Sequence, residues 1–183
     1  MQNYFIKNKA FSIVEFLIVI AIFGILSTIV YGYLYKVNNK SADTTIKSNL
    51  QFVRAEARNY IDQKGNYGTA TIKSTTTIPP SSTQADCSTA NTILANTKIN
   101  SYILDAEQSA DPSSSWVALC AVGKLTSETN ATSWAVAVRL KENAGKNTNS
   151  ADGYYYWCVS STTNGAISNG ISGGGATEQA TCI

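Results

Sequence analysis

Residues 7–35 read KNKAFSIVEFLIVIAIFGILSTIVYGYLY, and this stretch decides the fold. Two lysines, Lys7 and Lys9, precede an apolar run from Phe11 to Tyr35 in which Glu15 is the single charged side chain. A run of about 25 residues is long enough to span a bilayer as a helix. A secretory signal peptide has a shorter apolar stretch with a small-residue cleavage site after it. Here the short basic leader MQNYFIKNKA comes first, and no AxA-like end follows the run. Lysines on the leader side predict that the leader stays cytoplasmic and that the C-terminus faces outward.

A single-pass signal anchor accounts for all of this except Glu15. A carboxylate four residues inside an apolar run costs roughly 2.5–3.5 kcal/mol on insertion scales, depending on depth. Near the end of a span it can snorkel to the interface; otherwise it needs a cationic partner within the apolar environment. A cut between Ala10 and Phe11 would supply one, the new amine on Phe11. That amine on one copy meeting Glu15 on a neighbour would also set an axial register.

The stretch from Lys9 to Ile22, KAFSIVEFLIVIAI, resembles the class III signal of type IV pilins and pseudopilins. Phe11, the hydroxyl residue Ser12 and Glu15 all match that signal. The resemblance implies that a dedicated prepilin peptidase cuts after Ala10, that the amine of Phe11 is methylated, and that Glu15 guides assembly. Ala10 departs from the family, which most often has Gly before the cut. The resemblance is specific over residues 7–35 and only architectural beyond them. It implies identical or related pilin subunits as partners in a homopolymer, together with the pilus assembly machinery. It also implies residence in the inner membrane as a single-pass precursor, then in an extracellular filament serving adhesion, motility or uptake.

Past the apolar run, Ala42, Ile46, Leu50, Val53, Ala57 and Tyr60 recur at steps of three and four, the mark of an amphipathic helix. Lys40, Asp43, Lys47, Asn49, Gln51, Arg54, Arg58 and Asp62 fall on the opposite face. Lys64-Gly65 gives a basic last turn and a glycine stop. Unbroken from Phe11 to Lys64, the helix would run about 80 Å. Gly24 and Gly32 each lower helix preference by about 1 kcal/mol relative to Ala. Their eight-residue spacing resembles the segment where pilin helices loosen inside the filament, although that family often has Pro where Gly32 stands.

The expected organisation is therefore a removed leader (1–10), a hydrophobic helix (11–35), an amphipathic continuation (36–64) and a globular head (65–183). The head has room for one modest core. It opens with a Thr/Ser/Pro connector, residues 65–86, that has no clear period. A short helix is expected around Ile99–Glu107, then strands at Trp116–Val122, Trp134–Leu140 and Tyr154–Val159. In the second strand Trp134, Val136, Val138 and Leu140 alternate with Ala135, Ala137 and Arg139, the pattern of a half-buried strand. The fold class is α+β: a long N-terminal helix packed on an antiparallel meander, in the element order of pilin heads.

Cys87, Cys120, Cys158 and Cys182 all lie beyond the apolar run. An even count with wide spacing and no CxxC pair favours disulfides over zinc and an oxidising compartment. Four cysteines allow three pairings. Many pilins close a C-terminal loop with a disulfide, and the resemblance accordingly favours Cys158–Cys182 with Cys87–Cys120.

Net charge is +2, and Lys7 and Lys9 account for both units. No basic surplus marks a nucleic-acid partner. The chain has no histidine, so Ser–His and Cys–His dyads are excluded and the commonest metal ligand is missing. Asp105, Glu107 and Asp111 sit on an expected surface helix, and Asp86 and Asp152 are isolated in loops. Gly173-Gly174-Gly175 lacks the Lys-Ser/Thr of a phosphate loop. Between Ser160 and Ile183 only Glu178 could offer a charged oxygen to calcium. The expectation is no enzyme, no metal and no cofactor. Trp116, Trp134 and the Tyr154–Trp157 run read as core aromatics before they read as a stacking surface. Three classes remain: a pilus subunit, a pseudopilin of a type II secretion system, and a signal-anchored binding domain that never polymerises.

Overall fold

The structure, a computed structural model, describes residues 12–69, 87, 90–111, 117–125, 127–142, 145–150, 153–172 and 179–183. Ala10, Phe11, Asp86, Trp116, Asp152, Gly173 to Gly175 and most of the 65–86 connector lie outside them. The chain divides into two units, Met1–Asn38 and Asn39–Ile183. One helix, α1 (Ile13–Lys64), contributes to both.

In the first unit α1 is apolar all round. Its large side chains from Ile13 to Val37 are all exposed. The hydroxyls here turn back onto the helix: Ser27 Oγ donates to the Phe23 carbonyl and Thr28 Oγ1 to that of Ile25, each at 2.7 Å. Such back-bonding satisfies a hydroxyl where no water is at hand. By length and composition this helix can cross a membrane.

In the second unit α1 buries Asp43, Ile46, Leu50, Val53 and Ala57, one residue per turn on one stripe. The first of these corrects the sequence reading, which put Asp43 on the polar face. It is buried because its two oxygens accept the backbone N–H groups of Lys141 (2.6 Å) and Glu142 (3.1 Å). A carboxylate leaves water at tolerable cost when such charge-assisted bonds replace its hydration.

A 3₁₀ turn (Ile93–Ala95) leads into α2 (Thr97–Ala110). Asn96 caps α2: its Oδ1 accepts from the N–H of Lys98 and of Ile99, satisfying two of the helix's orphan donors. Ile99, Ile103, Ala106 and Ala110 form its buried stripe. Strands β1 (Ala118–Gly123), β2 (Ser133–Arg139), β3 (Tyr156–Ser160) and β4 (Ala166–Ser168) make an antiparallel sheet in chain order. A two-stranded piece, β5 (Ile171–Ser172) with β6 (Thr181–Cys182), completes the head.

The sheet has two covered faces, and the period of two along each strand sorts residues between them. Cys120, Val122, Trp134, Val136, Val138 and Val159 join the stripes of α1 and α2 in the main core. Ala121, Ala135, Ala137, Tyr156 and Cys158 face the other way and meet Ile171 and Ala180. So β2 is not half-buried: Ala135 and Ala137 are as inaccessible as Val136. The reason is the C-terminal segment, which lies over the alanine face and is anchored there by the Ala180 N–H donating to Ser133 Oγ (2.8 Å).

Each face carries one disulfide. Cys87 is bonded to Cys120 in the main core, and Cys158 to Cys182 in the outer layer. Register explains the division, because Cys120 pairs across β2 with Val136 whereas Cys158 pairs with Ala137.

A second backbone constraint closes the core near the end of α1. Gly68 bridges to Thr92 and has φ +113. Any Cβ here would overlap the Asn91 carbonyl, so only glycine permits so close an approach.

Candidate functional site

The site begins where the sequence placed its one intramembrane acid. Glu15 lies in the first turn of α1, and its Oε2 accepts the backbone N–H of Ser12 at 3.0 Å. Ser12 Oγ in turn accepts the N–H of Val14 at 3.3 Å. Ser12 and Glu15 thus cap the helix reciprocally, the hydroxyl serving an N–H of the first turn and the carboxylate reaching back to the cap residue. An acid here also faces the positive end of the helix dipole. The Ser-x-x-Glu spacing carried this information in the sequence, where Ser12 was matched only as a hydroxyl.

Self-capping changes what Glu15 costs. Unpaired in hydrocarbon, a carboxylate is expensive; bonded to a backbone donor and near a helix N-terminus, it loses less on leaving water. Among the described residues of the first unit there is no cation near it in sequence until Lys36. The arrangement supplies a fixed anion at the start of an apolar rod. A cation brought to that point, in an environment that screens little, would be attracted strongly.

Gly24 and Gly32 lie within α1, which runs through both without a break. A Cβ at either would meet nothing within 4 Å, so each leaves a notch in the apolar surface that another helix backbone can approach.

In the second unit, a cleft of about 440 Å³ is lined by Asp43, Lys47, Leu140, Glu142, Lys146 and Tyr155. Two lysines and two carboxylates offset each other there, and Asp43 is already held by backbone amides. Among the described residues, the candidate aromatics serve packing. Trp134 and Tyr156 are fully buried, and Trp157 lies under the Lys47 ammonium, 5.0 Å from the ring centroid. Tyr154 stacks beneath the Arg139 guanidinium at 4.2 Å, and that guanidinium also pairs with Asp111 at 3.3 Å. On α2, burial pushes the Glu107 carboxyl up to about 7.

Comparison with known proteins bears on the N-terminal segment alone. Residues 6–31 match the family model of the prokaryotic N-terminal methylation motif. This is the class III signal of type IV pilins and pseudopilins, and it supports a pilin or pseudopilin in general. The motif implies processing by prepilin peptidase and handling by a pilus or secretion assembly machinery. The apolar helix beside it fits a membrane-anchored precursor. No curated protein and no solved structure matches the chain significantly.

Proposed function

We propose that this chain is a structural subunit of a type IV pilus, made as a membrane-anchored precursor, cut between Ala10 and Phe11, methylated on the Phe11 amine, and polymerised through α1. The observation that carries the reading is the first half of α1. It is apolar on every face, carries one acid at its start, and falls within the matched motif as far as residue 31. An apolar surface of this extent needs either lipid or protein around it. In the membrane lipid covers it; in a filament the same surface of neighbouring copies would. Glu15 then selects the axial position at which the Phe11 amine of an adjacent copy neutralises it. Gly24 and Gly32 provide places where helices can approach closely.

The alternative within the same family, a pseudopilin of a type II secretion system, shares every step up to assembly. Two disulfides in a head of this size favour the exposed filament, which has to hold together without cellular support. The deciding experiment is to shear cells, collect the released filaments and sequence their subunit from its N-terminus. A sheared filament whose subunit begins with methylated Phe11 supports the proposal. Processed protein that remains in the cell envelope points to the pseudopilin. Intact residues 1–10 on the membrane-bound protein would sink both.

A further inference from the structure

Along one flank of α1, Lys47, Gln51, Arg54 and Arg58 recur at steps of four, three and four, so they form a stripe. The stripe runs beside the turn between β3 and β4: Gln51 Nε2 donates to the Asn164 carbonyl, and Lys47 sits over Trp157. Further along it, Arg54 and Arg58 line a small cleft of about 20 Å³ with Tyr67, Trp134, Ser160 and Ser161. The Nε of Arg54 is shielded from solvent and has no hydrogen-bond partner among the described residues. A guanidinium N–H in that position calls for an acceptor.

The neighbouring acids do not supply one. Glu56 pairs with Lys98 at 3.6 Å, Asp111 with Arg139, and Asp43 is taken by two backbone amides. Asp62, one turn beyond Arg58, is exposed, and no ion pair joins it to either arginine. Among the described residues both guanidinium groups are therefore without a counter-charge. The Ser160 hydroxyl already accepts from the N–H groups of Thr162 and Thr163. The cleft's volume admits one oxygen atom and little more. Its aromatic walls, Tyr67 and Trp134, keep the local dielectric low, which strengthens attraction to an anion.

We propose that Arg54 and Arg58 form an oxyanion site for a carboxylate or phosphate group, one oxygen of which enters the cleft and accepts the Arg54 Nε–H. The remaining oxygens lie at the mouth, within reach of Arg58. A planar guanidinium pair suits these groups because each presents parallel donors to two oxygens. The site lies wholly within the second unit, Asn39–Ile183, so it stands whether or not the chain polymerises.

The test is nuclear magnetic resonance of the full chain in detergent micelles, following the arginine Nε–H signals. Sodium phosphate and sodium acetate are titrated separately against sodium chloride at matched ionic strength. The expected result is a saturable shift of the Arg54 Nε–H signal with either oxyanion, and none with chloride. Arg58→Gln should weaken binding by fivefold or more. Arg54→Lys should abolish it, since lysine keeps the charge but loses the Nε–H. A preference between the two titrants tells phosphate from carboxylate. A shift that appears on concentrating the protein without added anion, and reverses on dilution, assigns the carboxylate to a second copy. If phosphate and acetate move the signal no further than chloride, a water fills the cleft and the proposal fails. That outcome is read on the unmutated chain, so it does not depend on whether the variants fold.

Discussion

The carboxylate of Asp43 accepts the backbone N–H of Lys141 at 2.6 Å, joining residues 98 positions apart. Its second oxygen takes the N–H of Glu142, so one side chain on α1 fixes the point where the chain leaves β2. With Asp43 replaced by Ala, two amides would lose their acceptor. Each charge-assisted bond contributes about 1.5–3 kcal/mol. Asp43→Ala should therefore lower head stability by about 3–6 kcal/mol, and Asp43→Asn, which keeps one acceptor oxygen, by roughly half as much. Urea unfolding followed by tryptophan fluorescence in detergent measures both. Equal losses for Ala and Asn would contradict the two-bond account.

Gly68 gives a sharper local test. Its φ of +113 and its closeness to the Asn91 carbonyl leave no room for a methyl group. Gly68→Ala should cost about 2 kcal/mol or more, through backbone strain and overlap together. The same substitution at Gly24, where a Cβ meets nothing within 4 Å, should leave head stability unchanged. The pair of melts distinguishes a general effect of glycine replacement from the specific one.

The two disulfides should differ in what they hold. They close sequence separations of 33 and 24, so the chain-entropy model assigns each about 3–4 kcal/mol. Replacing Cys158 and Cys182 by Ala should release the C-terminal cover, and hydrogen exchange at the Ala180 N–H should speed up while α2 keeps its protection. Replacing Cys87 and Cys120 by Ala should instead loosen the main core, where Cys120 packs with Val136. Exchange rates that rise everywhere in both variants would show that the layers unfold as one.

These layers also show what the sequence could convey. The stripe Ile46, Leu50, Val53, Ala57 announces itself by a period near 3.6 because one face is buried, and the run Trp134–Leu140 by a period of 2 because its two faces take large and small side chains in turn. The helix around Ile99–Glu107 was legible for the same reason, and the structure extends it to Thr97–Ala110. Strands β5 and β6 were not legible, since two residues each carry no period. Missing them made Ala135 and Ala137 look solvent-facing, although small side chains are what an overlying segment needs. Asp43 was misread because its partners are backbone amides nearly a hundred residues away, which no local pattern encodes. At the functional end, Glu15 stood out by charge alone, whereas its bond to the Ser12 N–H needed the helix start to be placed.

Glu107 predicts a pH dependence. Burial raises its carboxyl from 4.5 to about 7, so between those values the folded chain binds more protons than the unfolded one. The stability it contributes is present below pH 4.5 and is lost as pH rises through 7. Allowing for its partial exposure, the loss is about 1 kcal/mol, or a fall of roughly 2–4 °C in Tm. Glu107→Gln should flatten the profile over this window. An unchanged slope in that variant would place the proton uptake elsewhere.

The last prediction separates the two things Glu15 does. As a cap it needs only an acceptor oxygen for the Ser12 N–H, which Gln provides as well as Glu. As an assembly device it needs negative charge to meet an amine, which Gln lacks. Glu15→Gln should therefore keep the first turn of α1 and insert into the membrane normally, yet fail to enter filaments. Glu15→Ala should lose the cap as well, fraying the first turn at a cost of about 1 kcal/mol, with the same defect in assembly. Membrane fractionation measures insertion, and electron microscopy of sheared material measures filaments. If Glu15→Gln assembles normally while Glu15→Ala does not, the capping bond rather than the charge is what assembly uses. If both assemble, the carboxylate has no part in building a filament.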